Sequence, residues 1–361
     1  MKRREFLKKA SAATIAGVTA TTIGAPAIHA SPKYNWKMVT TWPPKFPVFQ
    51  ESAEMIAKSI KKMSEGRINI HVYGGGELVP PLEAFNAVSS GTVEMGHGCP
   101  YYWAGKMRAV QLIAAVPFGM NSQQVNSWIT SGNGMKLWEE LYAQFNVVPF
   151  LAGECGMQMG GWFRKEIKSV NDIKGLKMRI PGLGGKVITK AGGTSVTVPA
   201  SEVYSNLERG VIDATEWVGP YHDYILGLYK AAKFYYYPGW HEPGTVIEAF
   251  INKKVWDPLP SDLKAIVRAA CAQSNAWMVA EFDAKNNFYL QKMKKEHGVK
   301  VYRFPDDVLK VLKKHSEEVI QELVSSDPMA KKIWADYKQF MGTILDWHKS
   351  SEFAYSNFLM K

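Results

Sequence analysis

The sequence is poor in the features that usually announce an enzyme or a membrane protein. Three cysteines, Cys99, Cys155 and Cys271, are spread over 361 residues. Their spacing matches no metal or redox motif and their number is odd, so buried free thiols are expected, with a single pairing left open. No complete G-x-G-x-x-G is present. The turn Gly182-Leu-Gly-Gly185 before a helical stretch lacks both the full spacing and a following acidic partner. No G-x-S-x-G elbow occurs, and no histidine has an obvious nucleophile companion. His97 with Cys99, and His222 with Asp223, lack the further ligands that zinc requires. Basic residues form no stripe interleaved with aromatics, which speaks against nucleic acid.

What the chain does have begins at its first residue. Lys2, Arg3 and Arg4 are followed by Phe6, Leu7 and Lys8, then by a weakly apolar stretch to about Ile28 with small-residue cleavage options after Ala27 or Ala30. A basic segment, a modest apolar one and a small-residue end describe a secretory signal. The paired arginine points to the Tat route, and hence to the periplasm. Beyond it, nothing approaches the roughly 18 consecutive apolar residues of a membrane-spanning helix. The formal charge is +11; the leader holds five Lys or Arg and one Glu, which leaves the rest nearer +7. A mild positive field of that kind suits attraction of small anions.

Hydrophobic periodicity alternates between strand and helix for the first two thirds of the chain. Trp36 to Thr41 reads as a strand, Val48 to Ser64 as a helix, Ile68 to Tyr73 as a strand, Pro81 to Ser90 as a helix and Glu94 to Gly98 as a strand. The order repeats from Val147 to Leu228. Such alternation predicts an α/β fold with largely parallel sheets. Two lobes with a cleft between them, type II-like, are the economical arrangement: residues 31–155 with part of 245–285 form lobe I, and residues 156–244 form lobe II. Ligands of such sheets collect at the carboxyl ends of the strands. From Pro260 onward the pattern is almost wholly helical, and residues 286–361 are read as a C-terminal helical region. The last helix keeps Ile333, Tyr337, Phe340, Met341, Ile344, Leu345 and His348 on one face. That face serves either packing on its own lobe or a dimer contact.

Two groups of residues carry candidate chemistry. Arg179 ends a predicted strand just before Pro181-Gly182, where a sheet delivers side chains into a cleft. A guanidinium there offers a planar fork for a carboxylate, although on spacing alone a salt-bridging surface arginine is the simpler reading. Glu216 and Trp217 follow a second predicted strand, and Glu242 lies in the proline-flanked loop Pro238 to Pro243. With the amide of Gln158 these carboxylates would supply hard oxygen ligands for Na⁺ or Ca²⁺. The same pair would also suit a glycosidase acid and nucleophile, and two unrelated surface glutamates are the plainest alternative.

The chain from about Trp36 to its final helix resembles the substrate-binding subunits of tripartite ATP-independent periplasmic (TRAP) transporters. Its most specific stretches are Asp172 to Gly182, Glu202 to Asp213 and Ser90 to Gly96. The resemblance implies that Arg179 pairs with a ligand carboxylate, that the chain serves transport rather than catalysis, and that small and large membrane subunits are its partners. Many relatives continue the second stretch with Glu-Asn-Pro, where this chain has Glu216-Trp217-Val218. Together with Tyr101-Tyr102-Trp103 and the Trp240 to Glu242 loop, this departure resembles the branch that binds 2-oxo acids or lactate with a metal ion. That branch implies a cation held by Gln158, Glu216, Glu242 and the Trp217 backbone. It also implies a contact from Tyr101 or Tyr102 and a homodimer formed through the C-terminal helix. Aromatic or sugar-derived carboxylates are the alternative ligands.

Overall fold

The structure, a computed structural model, describes residues 33–360. The Tat leader expected over residues 1–30 lies outside them. In chain order the strands are β1 (Tyr34–Thr40), β2 (Ile68–Tyr73), β3 (Met95–Gly98) and β4 (Val147–Glu154), then β5 (Gly161–Phe163), β6 (Lys177–Arg179), β7 (Thr194–Val196), β8 (Ala214–Thr215) and β9 (Phe234–Tyr237), and finally β10 (Val246–Asn252) and β11 (Lys300–Arg303). They make two sheets, β2-β1-β3-β10-β4 and β11-β9-β5-β8-β6-β7. Each sheet is the centre of one lobe.

The helix over Phe49–Met63 shows why the alternating pattern holds. Phe49, Ala53, Ile56, Ala57 and Ile60 fall on one face and are buried, and the last four seal one side of the first sheet beside Trp36, Met38 and Ile68. Lys61 and Lys62 in its last turn oppose the helix dipole.

The sheets are mixed rather than largely parallel. β10 runs antiparallel to both β3 and β4, and β5 runs antiparallel to β8 and β9. The cause is the route of the chain. Each of these strands enters its sheet from the cleft, whereas its neighbours leave toward the cleft. Val246 at the start of β10 therefore stands opposite Glu154 at the end of β4, and Trp162 in β5 stands opposite Thr215 at the end of β8.

Up to residue 297 the chain crosses between the lobes three times. Residues 155–160 lead from β4 to β5, and residues 238–245 lead from β9 to β10. The two segments lie side by side, with Cys155 N–H donating to Thr245 O at 3.1 Å and Gly239 N–H donating to Gln158 O at 3.0 Å. The third crossing is the helix Ser261–His297, about 55 Å long at 1.5 Å per residue. Its first turns (Leu263, Val267, Ala270, Cys271) pack on the first sheet, and Met278, Phe282 and Met293 pack into a second cluster that spans both lobes. Gly298 ends it in the left-handed region, φ 63°, donating to Met293 O.

The helical stretch expected from Pro260 is interrupted by β11, which extends the second sheet beside β9. Helices Asp306–Ser326 and Pro328–Ser350 follow, the second capped by the Asp327 carboxylate, which accepts from Met329 N and Ala330 N. The face of that helix singled out by its apolar spacing is folded back on lobe I. Met120 N–H donates to the Tyr337 hydroxyl oxygen at 2.7 Å, and His348 meets Gln124 at 2.9 Å. The three cysteines are free and buried.

Candidate functional site

Arg179 is the last residue of β6, and Glu216 and Trp217 follow directly on β8, its parallel neighbour. Sheet register thus delivers three of the sequence-derived site residues to the same edge. The two crossing segments bring the others, Gln158 from the first and Glu242 from the second. Tyr101 and Tyr102 come from the short turn after β3. The surface positions considered for Arg179 and for the two glutamates are excluded: Arg179 is 1% exposed, Glu216 0% and Glu242 2%.

The polar groups form one connected cluster. Arg179 Nη1 pairs with Glu216 Oε1 and also donates to the Glu216 main-chain oxygen at 3.0 Å. Its guanidinium sits 4.9 Å from the centre of the Trp217 ring, a cation–π contact. Glu242 Oε2 accepts from Gln158 Nε2 at 2.9 Å and from the Thr245 hydroxyl at 2.6 Å. His241 Nε2 lies 3.4 Å from Glu216 Oε2. Ligand-type atoms of Glu216, His241 and Glu242 all fall within 4.8 Å of one another.

This cluster is short of partners at four atoms. Arg179 Nε and Nη2, Gln158 Oε1 and His241 Nδ1 are buried with no hydrogen-bond partner. Leaving a buried polar atom unpaired costs about 1–3 kcal/mol, and more for a charged group, so four such atoms in one place mark a site with binding capacity. Nε and Nη2 share one edge of the guanidinium plane, the edge that takes a carboxylate through two parallel bonds. Oxygen donors from Glu216, Glu242 and Gln158 are the set that Na⁺ and Ca²⁺ favour, so the residues present fit such a cation.

Burial sets the protonation behaviour. It pushes Glu216 up to about 7, although the Arg179 guanidinium beside it pulls the other way. Glu242 is raised to about 7 by burial and then by the charge of Glu216. Burial lowers His241 to about 4, so its ring is neutral near pH 7.

In front of the cluster lies a cavity walled by Trp42, Phe49, Tyr101, Tyr102, Gln158 and Trp217, with Cys155, Val218 and Ile247 completing it. Its volume of ≈ 10 Å³ is room for about one water molecule. The lobes are closed onto their own side chains, and a three-carbon acid enters only when they part. Gln158 and Trp217 belong to both the cavity wall and the polar cluster behind it.

Spacing did not reveal every member of the site. The Gly182-Leu-Gly-Gly185 turn contributes through close approach: a Cβ at Gly182 would stand 3.3 Å from the Tyr101 ring, and one at Gly184 would stand 2.9 Å from the His241 Cβ. His241 went unassigned because a lone histidine beside a glutamate carries no spacing signal. Trp42 was readable in principle. It lies two residues beyond β1, at the carboxyl end of a strand, and precedes Pro43 and Pro44.

Comparison with known proteins adds independent findings. A family described as bacterial extracellular solute-binding protein, family 7, matches residues 38–327. A monocarboxylate 2-oxoacid-binding periplasmic protein of Nostoc sp. is 42% identical over 361 residues, 99% of this chain and 99% of that protein. A TRAP transporter solute-binding protein from Bordetella bronchiseptica, a mixed-occupancy dimer with copurified calcium and picolinate, superposes with a TM-score of 0.89 at 38% identity, covering 91% of this chain and 98% of that one. A TRAP periplasmic solute-binding protein from Pseudoalteromonas atlantica, with bound sodium and pyruvate, superposes at 0.87 and 38% identity, covering 90% and 98%.

Proposed function

The chain belongs to family 7 of the bacterial extracellular solute-binding proteins, the binding subunits of TRAP transporters, and from that premise we propose that it captures a small 2-oxo acid such as pyruvate, or lactate, together with a Na⁺ or Ca²⁺ ion. The observation that carries this reading is the buried Arg179 with its Nε and Nη2 edge unpartnered beside two carboxylates and the free Gln158 Oε1. A neutral, satisfied core would not hold that inventory.

On this reading Arg179 takes the ligand carboxylate on its open edge while Nη1 stays on Glu216. Gln158, Glu216, Glu242 and the Trp217 backbone hold the cation, with His241 beside them. A cation held there would supply positive charge beside the bound acid and offset the two glutamates. Of the two tyrosines, Tyr102 is the better candidate for the ligand contact, because its phenol feels the Arg179 charge most strongly after burial. Tyr101, packed on Gly182, closes the wall. Trp217 and Trp42 exclude water.

The moving units on this reading would be residues 33–155 with part of 245–285, and residues 156–244 with β11 added. A ligand that touches both favours the closed state. The chain would then be exported by the Tat route, act in the periplasm and hand its ligand to a small and a large membrane subunit. A homodimer through the C-terminal helical region is supported by exposed Trp347 near the end of the helix Pro328–Ser350 and by exposed Phe353, Tyr355, Phe358 and Leu359 on the short helix Glu352–Leu359 that follows. The alternative of a hydrolase using Glu216 and Glu242 is not favoured, since Glu216 is held by Arg179 and Glu242 by Gln158 and Thr245.

Titration of the purified protein with pyruvate, longer 2-oxo acids, lactate and picolinate, followed by tryptophan fluorescence, tests the reading. Saturable binding that weakens when the cation is chelated is the expected result. Tight binding indifferent to cations would remove the metal assignment, and no response to any of these acids would overturn the ligand class.

A further inference from the structure

Both tryptophans of the cavity wall are tied to a buried histidine in the same way. Trp42 Nε1 donates to His97 Nδ1 at 2.8 Å, and Trp217 Nε1 donates to His222 Nδ1 at 3.4 Å. An indole nitrogen can only donate, so each Nδ1 is unprotonated and each ring carries its hydrogen on Nε2. What Nε2 then reaches differs. His97 turns to Ser52 at 3.2 Å, within its own lobe. His222 turns to the main-chain oxygen of Pro47 at 2.9 Å.

That second bond crosses the cleft. His222 lies on the helix Pro220–Ile225, which is anchored to the second sheet where Asp223 accepts from Trp162 of β5 and Tyr235 of β9. Pro47 lies in the loop between β1 and the helix Phe49–Met63, on the first lobe. Around the bond the rings interlock. Phe46 and Phe49 stand 4.8 and 4.7 Å from the His222 ring, and 6.1 and 6.3 Å from Trp217. One imidazole therefore touches the opposite lobe with Nε2 and orients, with Nδ1, the ring that lies against Arg179.

We propose that His222 is a cross-cleft latch, a positioning residue that fastens the closed lobes through Pro47 and sets the Trp217 wall in the same movement. The proposal rests on the ligand-binding reading above for its consequence, namely retention of the bound acid, but not for the latch itself. His97 is the control that the fold provides: the same tryptophan bond with no cross-cleft partner.

Two substitutions separate the two ends of the ring. In His222→Asn the amide occupies the place of Nδ1, so the indole keeps an acceptor while the reach to Pro47 is lost. In His222→Gln the amide occupies the place of Nε2, so the cross-cleft donor survives while the Trp217 N–H loses its partner. Spin labels at Lys58→Cys and Lys230→Cys, both exposed and one on each lobe, report the interlobe distance without any ligand; the native thiols are buried. His222→Asn is expected to shift the ligand-free distribution to longer separations and to speed pyruvate dissociation by roughly 5- to 10-fold, the equivalent of one neutral hydrogen bond. His222→Gln is expected to keep the wild-type distances. Equal distance distributions in the wild type and both variants would overturn the latch. So would equal lengthening by both, the signature of a merely structural role. If the wild type binds no 2-oxo acid, the ligand reading falls, and the distance comparison still judges the latch.

Discussion

Two buried acidic clusters lie close together in the second lobe, and only one of them is finished. Asp223 is 1% exposed, and both its oxygens are engaged: Oδ2 accepts from Trp162 Nε1 at 2.8 Å and Tyr235 Oη at 2.7 Å, and Oδ1 from Val218 N–H at 3.3 Å. Glu216 and Glu242 are as deeply buried, yet their neighbours Arg179, Gln158 and His241 keep four polar atoms unpartnered. Burial raises all three acids to about 7. Protonation behaviour therefore does not tell structural from functional acids here. The partner inventory does. Single unpaired oxygens also occur at Glu154 and Glu248, whereas the cleft cluster gathers four such atoms on three residues.

The largest effect is expected where that comparison is cut most deeply. Arg179→Ala removes the open guanidinium edge and strands Glu216. Affinity for a 2-oxo acid should fall about a hundredfold or more, as befits two charge-assisted bonds, and the folded state should lose about 3–5 kcal/mol from the broken buried pair. Calorimetric titration and denaturant unfolding measure the two losses; wild-type affinity would take Arg179 out of the site.

A smaller effect follows from pH. Glu216 and Glu242 have folded-state values near 7, above the 4.5 of an ordinary glutamate. Their contribution to stability is full below about 4.5 and is lost as pH rises through about 7, because the folded state holds the protons that the unfolded state has released. A cation needs the ionised forms, so its affinity should drop about tenfold between pH 8 and pH 6 for each proton displaced. Melting curves with calcium and with chelator, compared from pH 5 to 8, should diverge as pH rises. Parallel curves would mean that the glutamates do not hold the ion.

The smallest effect on binding belongs to the finished cluster. Asp223→Asn should cost about 1–3 kcal/mol of stability through mismatched donors while the dissociation constant stays within about threefold. An affinity loss much beyond that would dissolve the distinction between the two clusters.

How much of this was legible in the sequence depends on whether a signal was periodic. Ile68–Tyr73 was read to its ends, and the onset of helix at Ser261 to within one residue, because each is marked by a clear period beside a clear stop. β11 was missed inside a helical region because Lys300–Arg303 is a mostly exposed edge strand of four residues with one half-buried side chain. The antiparallel course of β5 and β10 was illegible for another reason: strand direction depends on the route between lobes, which no local pattern encodes. At the site, Arg179 and Glu216 could be placed at strand ends, but their burial and pairing depend on the register of β6 against β8. The resemblance to TRAP binding subunits, not the spacing, raised them above surface charges. His241 had no spacing signal of its own, and Trp42 had only its place beyond the end of a strand.

The first three crossings between the lobes have a mechanical consequence. A body joined to another by one strand can swivel about any line, whereas two adjacent strands, 155–160 and 238–245, define an axis. The unbroken helix Ser261–His297 adds a stiff rod fixed at both ends. Rotation about that axis then bends the rod, and sliding or twisting would have to stretch it. The relative movement of the lobes is thereby reduced to nearly a single degree of freedom, a path along which opening and closing retrace the same coordinate.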